Sequence, residues 1–79
     1  LNIYPNPNNG VFSIAVPAAS SAYEVVVTDL AGRTIISKMM QANGGVLSIN
    51  EAAALQAGIY SVTVQQEGSV LNTGQLVVR

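Results

Sequence analysis

The side chains that could do chemistry are few in this chain and lie far apart. There are four carboxylates (Glu24, Asp29, Glu51, Glu67), three basic residues (Arg33, Lys38, Arg79), and neither histidine nor cysteine. Acid–base catalysis needs a titratable group near neutral pH within reach of its target, and these carboxylates fall in separate stretches that read as solvated surface. The serines have no histidine or well-placed lysine to take a proton, so none reads as an activated nucleophile. Without cysteine there is no disulfide framework and no thiolate zinc site. Asn6, Asn8 and Asn9 offer amide oxygens to a calcium ion, but affinity grows with carboxylate count and that loop has none. Asp29 is better explained as a turn cap than as a metal ligand. The reading is a non-catalytic chain with no metal and no cofactor. Of three tyrosines that could stack on a sugar ring, Tyr60 alternates with Val62 and Val64 and reads as core, while Tyr4 and Tyr23 stay open.

Composition narrows the partners. Hydrophobic residues make up 49% of the 79 positions and charged residues 9%, for a net charge of −1. A typical soluble domain carries about 25% charged residues, so this neutral, hydroxyl- and amide-rich skin leans toward an exported protein. Three basic residues cannot build the stripe that phosphate contacts need, which excludes nucleic acid, and they give no electrostatic hold on an anionic membrane. No apolar run approaches the ~18 residues of a membrane helix. The chain starts at Leu1 with no Met and no visible signal peptide, and so reads as a piece of a longer protein whose residues 1–79 form one domain.

Whatever function exists must therefore be carried by a surface, and the elements that build it are strands. Short apolar runs recur between Gly, Pro, Asn and Ser, the spacing of an antiparallel sandwich. Leu1, Ile3 and Tyr4 read as a strand that Pro5 and Pro7 confine to a sheet edge, and Asn6, Asn8, Asn9 and Gly10 mark a turn. Phe12, Ile14 and Val16 alternate toward a core, and Ala18 to Ser21 is a small-residue connection. Tyr23 to Leu30 follows with Val25 and Val27 inward. Asp29 and Gly32 frame a tight hairpin into a strand over Thr34 to Met40, whose register the pairs Ile35-Ile36 and Met39-Met40 leave open. Asn43-Gly44 is a hairpin signal before Val46 to Ile49.

Asn50 as N-cap, Glu51 in a first turn and Gly58 as a stop predict one short helical turn, with Leu55 plugging the core. Tyr60, Val62 and Val64 face inward on the next strand. Glu67-Gly68 closes a hairpin into Ser69 to Arg79, with a bulge expected at Gly74. The fold class is all-β, a small immunoglobulin-like antiparallel sandwich of about seven strands.

Four motifs occur in a set order. They are Tyr4-Pro5-Asn6-Pro7 with Gly10, then Asp29 with Gly32 and Arg33, then Leu55, Gly58, Tyr60 and Val62, and last Gln75-Leu76-Val77-Val78-Arg79. Along the whole chain this order resembles the type A C-terminal sorting domain of the type IX secretion system, found at the ends of many proteins exported by Bacteroidetes. The family commonly has Lys or Arg where this chain has Gln75, and Arg79 supplies a positive charge nearby.

The resemblance implies a non-catalytic address label on a covalently linked N-terminal cargo domain. The folded domain would be recognised in the periplasm by the outer-membrane translocon. In many members a surface sortase then removes it and anchors the cargo, so the protein passes the periplasm and ends at the cell surface or outside. Residues Leu76, Val77, Val78 and Arg79 are the expected recognition element, because an apolar last strand offers unpaired backbone and side chains for strand addition. Tyr4, Pro5, Asn6, Pro7, Gly10, Asp29, Gly32, Gly58 and Tyr60 are expected to be structural. An exposed edge with so little charge also allows weak strand-mediated self-association. The alternative is an accessory sandwich that binds carbohydrate or protein for a secreted enzyme, motivated by the Tyr, Asn and Gln content.

Overall fold

Strict alternation of β-branched and aromatic residues with Ser, Thr and Gln gives strands with one dry face, and in the computed structural model two antiparallel sheets meet through those faces. The structure describes residues 2–17, 22–51, 54–67 and 69–79. Leu1, the Ala18 to Ser21 connection, Ala52, Ala53 and Gly68 lie outside them. Among the described residues there are seven strands: β1 (Asn2–Tyr4), β2 (Val11–Ala15), β3 (Ala22–Thr28), β4 (Thr34–Gln41), β5 (Val46–Asn50), β6 (Gly58–Gln66) and β7 (Ser69–Val78). One sheet has the order β1-β2-β5, the other β4-β3-β6-β7. That is the immunoglobulin-like arrangement in which β1, β2 and β5 stand as A, B and E, and β4, β3, β6 and β7 as C′, C, F and G.

The core is a single cluster. Ile3, Phe12, Ile14, Leu47 and Ile49 from the smaller sheet face Tyr23, Val25, Val27, Ile36, Tyr60, Val62, Val64, Leu76 and Val78 from the larger, and Leu55 closes one end. Phe12 and Ile14 face inward as their alternation requires, and Val16 packs partly against the cluster. Tyr23 is wholly buried and Tyr60 nearly so. Fully burying one Val, Leu, Ile or Phe side chain stabilises by roughly 1.5–3 kcal/mol, so this cluster dominates the fold in a chain without disulfides.

Several expectations need correction. No helix is found among the described residues. Asn50 is the last residue of β5, paired with Val11, and the Glu51 carbonyl accepts hydrogen bonds from Ala54 N–H and Leu55 N–H, while Ala52 and Ala53 of the expected turn lie outside the described residues. Cap residues were present, but a helix needs more than the few positions between Glu51 and Gly58 to repay its nucleation. Leu55 nonetheless plugs the core as read.

The bulge of β7 is not at Gly74. Gly74 pairs in register with Val62, and the ladder skips Leu71, since Val64 opposes Asn72 and Gln65 opposes Val70. In β4 the pairing skips Ile35, which puts Ile36 inward and settles the register the adjacent pairs left open. At Asn43–Val46 the two central residues are Gly44 and Gly45, both at positive φ. They close a two-residue bridge as the chain passes between sheets, rather than a β4–β5 hairpin.

Candidate functional site

The first and last family motifs meet at the C-terminal end of β7, where Gly58 and Tyr60 of the third pair with Val78 and Leu76. β7 is an edge strand, so every second backbone N–H and C=O along its outer side lacks a strand partner. The segment Pro5 to Asn9 fills that side. Asn6 uses both ends of its amide: Nδ2 donates to Gln75 C=O at 3.0 Å, and Oδ1 accepts from Val77 N–H at 3.0 Å. Asn8 continues with its backbone, donating N–H to Val77 C=O at 3.0 Å and accepting from Arg79 N–H at 2.8 Å. Asn8 thereby pairs in parallel with Val78. Further along, Asn72 Oδ1 accepts from its neighbour Thr73 N–H at 2.9 Å.

The sequence explains why this strap holds its shape. Pro5 and Pro7 have no N–H to leave unsatisfied, and both prolyl peptide bonds are cis. Asn8 is buried, its Oδ1 accepting from Gly10 N–H at 2.8 Å and its Nδ2 donating to Pro5 C=O at 2.9 Å. Gly10, at φ 98°, takes the turn that starts β2, and its C=O accepts from Glu51 N–H at 2.9 Å. The amide oxygens of Asn6 and Asn8, considered above as calcium donors, are engaged by backbone N–H groups.

The second motif is a turn held by one carboxylate. Asp29 Oδ1 accepts from Ala31 N–H at 3.0 Å and from Arg33 N–H at 2.9 Å, while Oδ2 pairs with Arg33 Nε at 2.9 Å. Gly32 sits at φ 86°, and its N–H donates to Asp29 C=O. The Arg33 backbone N–H is the largest influence holding the Asp29 carboxyl below its ordinary 3.8; desolvation opposes it next in size, and the Arg33 side chain and the Ala31 N–H add to the lowering.

The third motif is a tyrosine corner. Tyr60, at the start of the strand equivalent to F, donates its hydroxyl to Gln56 C=O at 2.7 Å, and its ring lies over Gly58. Leu55 and Val62 of the same motif are both core. Sequence reasoning placed Tyr60 correctly in the core but missed the corner; the signal was a tyrosine opening the sixth strand of a seven-strand sandwich.

The four residues expected to carry recognition divide. Leu76 is 0% and Val78 4% exposed, both in the core, while Val77 is half-buried and Arg79 exposed on the outer side. Only Val77 and Arg79 present side chains, and their backbone is held by the strap. Asn8 was missed as a positioning residue, although two asparagines alternating with prolines at a sheet exit are what such a strap requires.

Tyr23 and Tyr60 are core residues, which leaves Tyr4 as the exposed tyrosine. Of the two tyrosines the sequence left open for stacking on a sugar, Tyr23 is buried and Tyr4 is exposed.

A comparison with family models matches residues 2–79 to the secretion system C-terminal sorting domain. The chain belongs to this family. A comparison with curated proteins finds no match. The sorting domain is thus a type IX secretion signal, of a family that is in general non-catalytic, and such a signal implies export to the cell surface or the extracellular space. Its four motifs now have structural roles in this sorting domain: a strap, a capped turn, a tyrosine corner and the last strand.

Proposed function

We propose that the folded domain acts as the export label of an N-terminally attached cargo, and that the outer-membrane translocon reads the end of β7 from the periplasmic side. Leu76 and Val78 anchor that end in the core, and Val77 and Arg79 are what the receptor touches. The observation that supports this is the strap. Asn6 and Asn8 hold the backbone from Gln75 to Arg79 in one extended conformation at the surface, so a receptor meets an ordered segment and does not have to order it on binding. A surface sortase then removes the domain and anchors the cargo. The strap also modifies strand addition as the recognition mode, because the outer edge at these residues is already occupied.

The test is a reporter fused ahead of the domain and expressed in a bacterium with the type IX system. Deleting Leu76 to Arg79 would confuse recognition with folding, because two of those residues are core. Val77→Thr with Arg79→Gln leaves the core intact, and the expected result is loss of export with an unchanged thermal melt. Undiminished export of that double variant would refute the assignment of recognition to these residues.

A further inference from the structure

Recognition at the end of β7 raises the question of what lies beside it on the same surface. In the middle of the β6–β7 ladder the outer face is hydroxyl and amide. Ser61 opposes Gln75, and Thr63 opposes Thr73 with their hydroxyl oxygens 3.4 Å apart. At the end of the sheet this changes, where Ile59 of β6 is paired directly with Val77 of β7. Ile59 is 43% exposed, and Val77 beside it is half-buried. Arg79 follows Val77 in the same alternation. Of the three cations, Arg33 pairs with Asp29 and Lys38 with Glu51, whereas among the described residues no ion pair is found for Arg79.

We propose that Ile59 belongs to the recognition surface. The receptor reads a composite patch across β6 and β7, in which the Ile59–Val77 pair takes an apolar side chain and Arg79 takes a carboxylate. This rests on the reading of Val77 and Arg79 given above and adds a residue outside the terminal segment, together with the chemistry of the partner. Cross-strand pairs at direct register have Cβ atoms about 4.5–5.5 Å apart, close enough for one side chain of a partner to contact both. An unpaired arginine next to an apolar patch selects for an acidic group, since its guanidinium can hold a carboxylate with two hydrogen bonds. The partner is therefore a protein surface that presents an apolar residue next to Asp or Glu.

The reporter fusion tests this with substitutions that point outward. Ile59→Thr keeps the β-branched shape a strand favours but loses apolar surface, and the expected result is a drop of about tenfold in exported reporter, the size of one lost anchor contact. Ile59→Val keeps export, and this guards against a folding artefact. Arg79→Lys keeps most export, while Arg79→Glu loses more than Arg79→Gln. Normal export of Ile59→Thr alongside impaired export of Val77→Thr would overturn the composite patch and leave a linear terminal signal. Equal loss for Arg79→Glu and Arg79→Gln would overturn the acidic partner. Normal export of both Val77→Thr and Arg79→Glu would instead remove the reading on which the patch rests.

Discussion

Asn6 is the residue that ties the two ends of the chain together, bonding to Gln75 and Val77, which lie 69 and 71 positions away. Replacing it by alanine removes two exposed hydrogen bonds, each worth about 0.5–1.5 kcal/mol net. Asn6→Ala should therefore lower unfolding stability by roughly 1–3 kcal/mol in a urea titration, and the Val77 amide should exchange with solvent faster than in the unmodified chain. Asp29 gives a pH signature. Its carboxyl is held below 3.8 in the folded state, so its contribution to stability is fully present above 3.8 and is lost as pH falls through the lower folded value. The difference in melting temperature between the unmodified chain and Asp29→Asn should stay constant above about pH 5 and shrink below 3.8. A difference that does not vary across that range would show that Arg33 and Ala31 do not favour the charged carboxylate.

Strands with a clear alternation were legible from sequence, and the elements that depend on distant partners were not. Phe12-Ser13-Ile14 and Tyr60-Ser61-Val62-Thr63-Val64 each bury every second residue, so their inward faces follow from the pattern alone. In β4 only Ile36 is buried and Met40 packs partly against the core, because an edge strand needs few core contacts and its remaining residues can be of any type. The segment after β5 carried helix caps without enough helix between them. The strap could not be read locally, since the groups it bonds are at the far end of the chain.

Turn glycines separate by backbone angle. Gly32 stands at φ +86° with open space around its Cα, so Gly32→Ala costs only the left-handed strain, roughly 1–2 kcal/mol. A Cβ at Gly58 would meet the Tyr60 ring at 3.8 Å, an ordinary contact, so Gly58→Ala should change stability by less than about 0.5 kcal/mol. Denaturation midpoints that reversed this order would refute the explanation of both positions. Glu67 has φ 52° between Gln66 and Ser69, which pair across the β6–β7 turn. Asparagine tolerates that angle, and Glu67→Asn should raise the same midpoint by the equivalent of about 0.5–1 kcal/mol.

At the scale of the molecule, the sandwich brings its first, third and last family motifs together at the C-terminal end of β7, while the Asp29 motif closes a turn of its own. Within the candidate site the sequence reading treated four residues as one class. Burial divides them, with Leu76 and Val78 inside and Val77 and Arg79 outside, a division that follows from strand alternation once β7 is known to lie on the core. The most direct test is export of a reporter with and without this domain, in cells with an intact or a disrupted type IX translocon. The expected result is reporter outside the cell only when both domain and translocon are present. Export that persists without the domain, or without the translocon, would contradict its role as the sorting signal.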